Sequence, residues 1–336
     1  MLKQRWIYII LLVSLVTMLV ACQQGETEDA SAEDQTETTG TDQSQEEEDT
    51  EAESESETRT ISYLGEEYEV PQDPTIVIAG AFEAMEDALL LGVEPIGAIS
   101  VGGEFPELFS DIVGNAESIG EKRQPNIEKI LELNPDVILS TTKFPEDTAA
   151  KLEEITTVIP VSHISTNWKD NLQMLGEVTG KSEKAEQILA DYEAQLTELK
   201  GQMPEDVQQE TVVVVRIRSG NIMIYSQDTS FNSVLYDDLG LSLPSVIEKA
   251  EVQEAISLEK FSELNPDHIF VQYAESENAD NPTALSDLEE NPIWQSLQAV
   301  QNEQVYVNAV DPLAQGGTAW SKQQFLKAFQ ENVLAE

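Results

Sequence analysis

Arg216 and Arg218 stand two residues apart at the end of a valine run, Val212 to Val215. In an extended strand that spacing puts both guanidinium groups on one face. Two like charges side by side call for an anion, and the paired planar donors of guanidinium match carboxylate and hydroxamate oxygens. Arg123 follows Gly120 in a segment expected to open at the carboxyl ends of a sheet's strands, where ligands bind in open α/β sheets. Lys143, just past the strand-like run 137–140, and Lys122, beside Arg123, are weaker candidates of the same type. Trp168, Tyr225, Tyr273 and Trp320 each fall just beyond a strand-like run or beside a glycine-rich loop, where an aromatic ring could wall a shallow pocket. The competing use of the cations is salt bridging to nearby Asp and Glu, and that of the aromatics is packing. His163 and His268 read as structural.

The elements that must hold these residues follow an α/β alternation. A hairpin is expected over 61–70, turning at Gly65. Strand-like runs at 75–79, 96–99, 137–140 and 158–161 alternate with helical patterns at 82–91, 127–133, 147–155 and 171–178. Residues 181–201 form a long amphipathic pattern with Ile188, Leu189, Tyr192, Leu196 and Leu199 on one face, stopped by Gly201 and Pro204. A second series follows, with strands expected at 211–217, 222–225, 268–272 and 304–308. Helices are expected at 231–239, 258–264, 292–299 and 321–333. The stretch 127–139 matches 258–270 at eight of 13 positions, each copy ending a short helix at Asn-Pro-Asp before a strand. Convergence of helix–turn–strand junctions is the alternative, but either way the two lobes share a topology. Two α/β lobes joined by one long helix describe a ligand clamp.

Composition limits the chemistry further. The 336 residues carry 64 Asp and Glu against 18 Lys and Arg, a formal charge of -46. Such a surface repels nucleic acid and anionic lipid. One cysteine and two histidines exclude a disulfide framework within the chain and leave little for a Zn²⁺ or Mn²⁺ site. The chain lacks a Gly-x-Ser-x-Gly elbow, a phosphate loop and a His-Glu-x-x-His motif, which argues against an exported α/β enzyme. Residues 1–21 read as a lipoprotein signal peptide: Lys3 and Arg5, an apolar run too short to span a bilayer, then Leu19-Val20-Ala21-Cys22, the pattern of a bacterial lipobox. Cys22 is the expected lipidation site. Residues 22–60 hold 15 acidic side chains and no aliphatic one larger than alanine, and read as a disordered, self-repelling tether.

From about Ile61 onward the chain resembles the iron-siderophore (ferrichrome and vitamin B12 class) substrate-binding lipoproteins of ABC importers. The residues that carry the resemblance are the run Leu89 to Gly97, Ile119-Gly120, Pro125 to Glu128 before Asn134-Pro135-Asp136, and Leu235 to Leu241. It is closest to the Gram-positive branch handling ferric citrate or citrate- and hydroxamate-type siderophores. The resemblance implies two Rossmann-like lobes with mostly parallel sheets joined by a single long helix, the class III periplasmic-binding-protein type. The lobes would be 61–180 and 204–336, with the connecting helix at 181–203. It also implies that an exposed glutamate on each lobe, here Glu128 and Glu259, pairs with arginines of the permease dimer. A carboxylate in a helix's first turn is also simply favoured there. The expected protein is no enzyme and holds no permanent cofactor. It is a monomer on the outer face of the cell membrane, held by its lipid, that passes an anionic ferric siderophore to a permease and its ATPase. Haem or cobalamin receptors of the same fold are the alternative.

Overall fold

The computed structural model describes residues 58–334. The signal segment, Cys22 and the tether up to residue 57 lie outside the described residues. The first element is an antiparallel hairpin, β1 (Thr58–Tyr63) and β2 (Glu66–Pro71), turning through Leu64 and Gly65, both at positive φ. Arg59, assigned by composition to the tether, sits in β1 and donates to the carbonyls of Glu177 and Val178 at 2.9 and 2.8 Å. The tether boundary at residue 60 is therefore corrected: order begins at least at Thr58, because the guanidinium anchors a strand that charge alone would have left free.

The amino-terminal lobe is a six-stranded sheet made of β3 (Ile76–Ile78), β4 (Gly97–Ser100), β5 (Glu117–Glu121), β6 (Gln124–Pro125), β7 (Val137–Thr141) and β8 (Thr157–Val161). Their order is β6-β5-β4-β3-β7-β8, parallel except for the β5–β6 pair. Helices α1 (Phe82–Leu91), α2 (Ile127–Leu133) and α3 (Glu146–Glu153) lie between strands, and α4 (Trp168–Val178) follows β8. Buried β3 is a continuous apolar run, and β7 begins as one before Ser140 and Thr141, as strands covered on both faces require. The long helix α5 (Ser182–Gln202) starts after Gly180, whose φ is 65°, and buries Ala185, Ile188, Tyr192 and Leu199.

The carboxyl-terminal lobe contains β9 (Val212–Arg218), β10 (Asn221–Tyr225), β11 (Gln253–Ile256), β12 (His268–Tyr273) and β13 (Val305–Val307), ordered β11-β10-β9-β12-β13. The β9, β12 and β13 strands are parallel. The β10 strand returns antiparallel to β9 through a tight turn at Ser219 and Gly220, both at positive φ. Short helices α6 (Ser245–Glu248), α7 (Leu258–Ser262), α8 (Ala284–Glu289), α9 (Pro292–Gln295) and α10 (Gln298–Gln301) precede the terminal helix α11 (Ala319–Val333). The single helix expected over 292–299 is two, and the one expected over 231–239 is a π-helical turn at Ser233–Asp238.

The repeat is structural as well as sequential. Asn134 and Asn265 both adopt left-handed φ, at 46° and 43°, before their prolines. The following aspartates act alike: Asp136 accepts from the Thr75 amide and Asp267 from the Thr211 amide, each at 2.8 Å. Each aspartate thereby ties the start of one central strand to the start of its parallel neighbour.

Helix α11 packs against α1 and α4 of the first lobe and against α5. At this seam Lys322 is 1% exposed, with its Nζ 2.7 Å from Asp238 and 3.1 Å from the Ser233 hydroxyl. A buried ammonium survives only when paired, and Tyr192 donates to the same Asp238 carboxylate at 2.6 Å.

Candidate functional site

A cleft of about 480 Å³ lies between the lobes, at the carboxyl ends of β3, β5, β7, β8 and β9. Such edges leave backbone groups and loop side chains free to meet a ligand. The first lobe contributes Lys122 and Arg123 from the β5–β6 turn, Thr141, Lys143 and Phe144 from the end of β7, His163 past β8, and Glu83 from the first turn of α1. The second contributes Arg216 and Arg218 from β9, Tyr225 from β10, Thr229, Ser230, Val252 and Gln253, and Gln315 before α11.

The two β9 arginines share one carboxylate. Arg216 Nε lies 2.6 Å from Glu277 Oε2, and Arg218 bonds the other oxygen. Of the two expected uses the structure shows the salt bridge, to Glu277, with both guanidinium groups in the cleft wall. Burial alone would raise the Glu277 carboxyl, but Arg216 and Arg218 outweigh it and hold the group below the usual range. Fixing both guanidinium groups in advance would lower the entropy lost by an anion bound there.

On the facing wall Lys143 Nζ pairs with Glu83 at 2.7 Å. Lys122 Nζ donates to Gln315 Oε1 at 2.9 Å, bridging the lobes, and lies 4.3 Å from the Phe82 ring centre. Burial, then the cations Lys143, Arg216 and Arg218, push the Lys122 ammonium down to about 8, against the pull of Glu83. His163 shares its Nδ1 with the Thr142 hydroxyl at 2.7 Å, and burial followed by Lys143 lowers its affinity for a proton. Gly80, at φ 79°, keeps the wall closed, since a Cβ there would sit 2.3 Å from the Phe144 ring.

The cleft brings together Arg123, Lys143, Arg216, Arg218 and Tyr225. It does not include Trp168, Tyr273 or Trp320. Trp168 is 5% exposed and meets Tyr192 edge-on at 5.0 Å, forming part of the cage around Lys322. Tyr273 donates its hydroxyl to the Pro282 carbonyl, and half-buried Trp320 packs against the core. His268, bonded to Tyr306 and Glu210, is built into the lobe as expected, but His163, also read as structural, faces the cleft. Sequence reasoning missed Glu83, Gln253, Glu277 and Gln315. Glu277 lies 61 residues from Arg216, and nothing local in the sequence marks the pairing. Glu128 and Glu259 are both exposed in first turns, of α2 behind the Asn126 cap and of α7 behind the Ser257 cap.

Five cations line the cleft against one lining carboxylate, Glu83; with Glu277 behind the arginines the excess is three positive charges. Low-dielectric walls strengthen that field. No group of His, Cys, Asp and Glu among the described residues could hold a metal ion.

The chain is 57% identical over 277 residues to the iron-uptake system-binding protein of Bacillus subtilis, covering 82% of this chain and 87% of that one. The crystal structure of the triscatecholate siderophore binding protein FeuA from Bacillus subtilis, complexed with ferri-bacillibactin, superposes with a TM-score of 0.80 at 56% identity. That match covers 82% of this chain and 98% of the other. The Fe(3+)-citrate-binding protein YfmC of Bacillus subtilis is 23% identical over 64% of this chain and 67% of its own length. The expected proximity to a citrate and hydroxamate branch is corrected by these identities. Residues 77–309 match the family model described as periplasmic binding protein. With more than half its length inside that model, the chain belongs to the periplasmic binding protein family, whose matched relatives are substrate-binding proteins and not enzymes.

Proposed function

We propose that this protein captures a ferric tris-catecholate of the ferri-bacillibactin type and delivers it to an ABC importer. The observation that carries this reading is the cleft's excess of three positive charges, converging from both lobes. Three catecholate dianions around one Fe(III) leave a complex of three negative charges, which such a cleft would neutralise. The citrate or citrate-hydroxamate ligand expected from the sequence gives way to this one. Phe144 and Tyr225 supply flat apolar surface beside the cations, suited to aromatic catechol rings as well as to their oxygens. The high identity to a relative with that ligand type supports the same choice.

In this reading Fe(III) is cargo held by the siderophore, and the protein contributes no ligand to the metal. Cys22 carries the lipid that keeps the receptor on the outer face of the membrane, and the acidic segment after it spaces the lobes from the surface. Glu128 and Glu259, at matching positions in the two repeat copies, meet arginines of the permease.

The test is a titration of the protein with ferri-bacillibactin, ferric citrate, a ferric hydroxamate, haem and cobalamin, followed by tryptophan fluorescence. Saturable quenching should be tightest with ferri-bacillibactin. Tighter binding of ferric citrate, haem or cobalamin refutes the assignment.

A further inference from the structure

Glu83 is an oddity in a site that collects anions. It lines the cleft, is 4% exposed, and sits in the first turn of α1, where the helix dipole favours a negative charge. Lys143 Nζ lies 2.7 Å from its Oε1. Lys122 reaches the same wall from the β5–β6 turn, pinned over Phe82 and against Gln315. Across the cleft stand Arg216 and Arg218. Cations packed this closely repel one another, and the lysine with least access to water is the one that gives up its proton.

We infer that Glu83 is a positioning residue for ligand capture: the resident counter-charge of a wall that carries Lys122 and Lys143, holding Lys143 in place until the incoming anion takes it over. The inference rests on reading the cleft as the site of an anionic ferric chelate. Burial and three neighbouring cations drive Lys122 down to about 8, and Glu83 opposes them. Burial would raise Glu83 itself, but Lys143 and Lys122 outweigh it and keep the carboxyl ionised. The other titratable groups facing this wall do not replace it. Burial pushes Glu86, next along α1, up to about 7, and pushes Asp87 well above the usual carboxylate range. His163, past β8, is pushed towards its neutral form by burial and then by Lys143.

The sign of the consequence distinguishes this role from plain electrostatics. Lys122 is charged below its titration and loses that charge as pH rises through about 8. Glu83→Gln removes a negative charge, so at pH 6, with Lys122 still protonated, a trianionic ligand binds tighter. The same change lets Lys122 titrate about one unit lower, so the variant keeps less of the Lys122 charge towards pH 8.5 and its advantage shrinks there. The two affinity profiles converge as pH rises.

Two measurements test this on the whole protein, Glu83→Gln and Glu83→Asp. The titration of Lys122 without ligand is read by competitive acylation and mass spectrometry. It should centre near 8, fall by about one unit in Glu83→Gln, and return in Glu83→Asp. Affinity for ferri-bacillibactin, read by fluorescence from pH 6 to 8.5, should be about threefold or more tighter in Glu83→Gln at pH 6, with that advantage shrinking towards pH 8.5. An unchanged Lys122 titration in Glu83→Gln, or parallel affinity profiles, overturns the inference. If Lys122 shifts as expected while the unaltered protein ignores ferri-bacillibactin, the counter-charge role stands and the ligand assignment falls.

Discussion

Arg218→Ala isolates one charge of the cleft with little damage to the fold. The Arg218 side chain is 31% exposed, whereas Arg216 is 7% exposed and hydrogen-bonds the Ala314 carbonyl. Removing Arg218 leaves Glu277 still paired to Arg216 at 2.6 Å. A guanidinium about 6 Å from a centre of three negative charges interacts by about 2 kcal/mol at the dielectric constant of water, and by more where the walls exclude it. At about 20 mM salt the loss should therefore reach about thirtyfold in Kd. At about 150 mM salt, screening over that distance roughly halves the energy and reduces the loss to about fivefold. The assay is fluorescence quenching by ferri-bacillibactin at both salt concentrations, with a neutral ferric hydroxamate as control. An affinity within about twofold of the unaltered protein at low salt refutes the electrostatic reading, as does an equal loss for the neutral complex.

Glu86 gives a stability prediction with a defined sign. It is fully buried, accepts from the Gln315 amide at 2.8 Å, and takes hydroxyl donors from Thr318 and Ser321. Its carboxyl rises from 4.5 to about 7, so the folded state holds a proton the unfolded chain has lost between those values. Stability should fall as pH rises through that window, by on the order of 3 kcal/mol from this group, and Glu86→Gln should remove its share of the slope in thermal melts, leaving the share due to Asp87. Gly316→Ala places a Cβ 2.5 Å from the Phe231 amide nitrogen at a φ of 82°, and should cost about 3 kcal/mol in denaturant unfolding. The double change Glu128→Ala with Glu259→Ala should leave ligand affinity intact and slow importer-dependent iron uptake by about tenfold or more. Normal uptake would remove both residues from docking.

The fold was legible because its signals are local. Proline and glycine stops bound the helices, buried strands read as valine runs, and the Asn-Pro-Asp junction appears twice. The short strands β5, β6 and β11 were missed because none carries a continuous apolar run. The site was legible only in part. Arg216 and Arg218 announced themselves by strand spacing in a chain poor in arginine, and Lys143 by its place after β7. The aromatic candidates failed where side-chain direction decides: Trp168 begins a helix but turns inward to Lys322, a partner 154 positions away that no local pattern reveals. The carboxylates behind the cations were hidden by abundance. Among so many acidic side chains, only burial distinguishes Glu83 and Glu277 from a solvated surface.

The seam at Glu86 also sets an order of assembly. The ties that close each sheet span 61 residues, from Thr75 to Asp136, and 56, from Thr211 to Asp267. The tie from Glu86 to Thr318 spans 232. Closing the longer loop costs about 1 kcal/mol more in chain entropy than closing either sheet, and it requires residues near the very end of the chain. A polypeptide made from its amino end can therefore complete both sheets before it possesses a cleft. In refolding, the capacity to quench with ligand should lag behind the recovery of secondary structure, and binding competence arrives as the last event of folding.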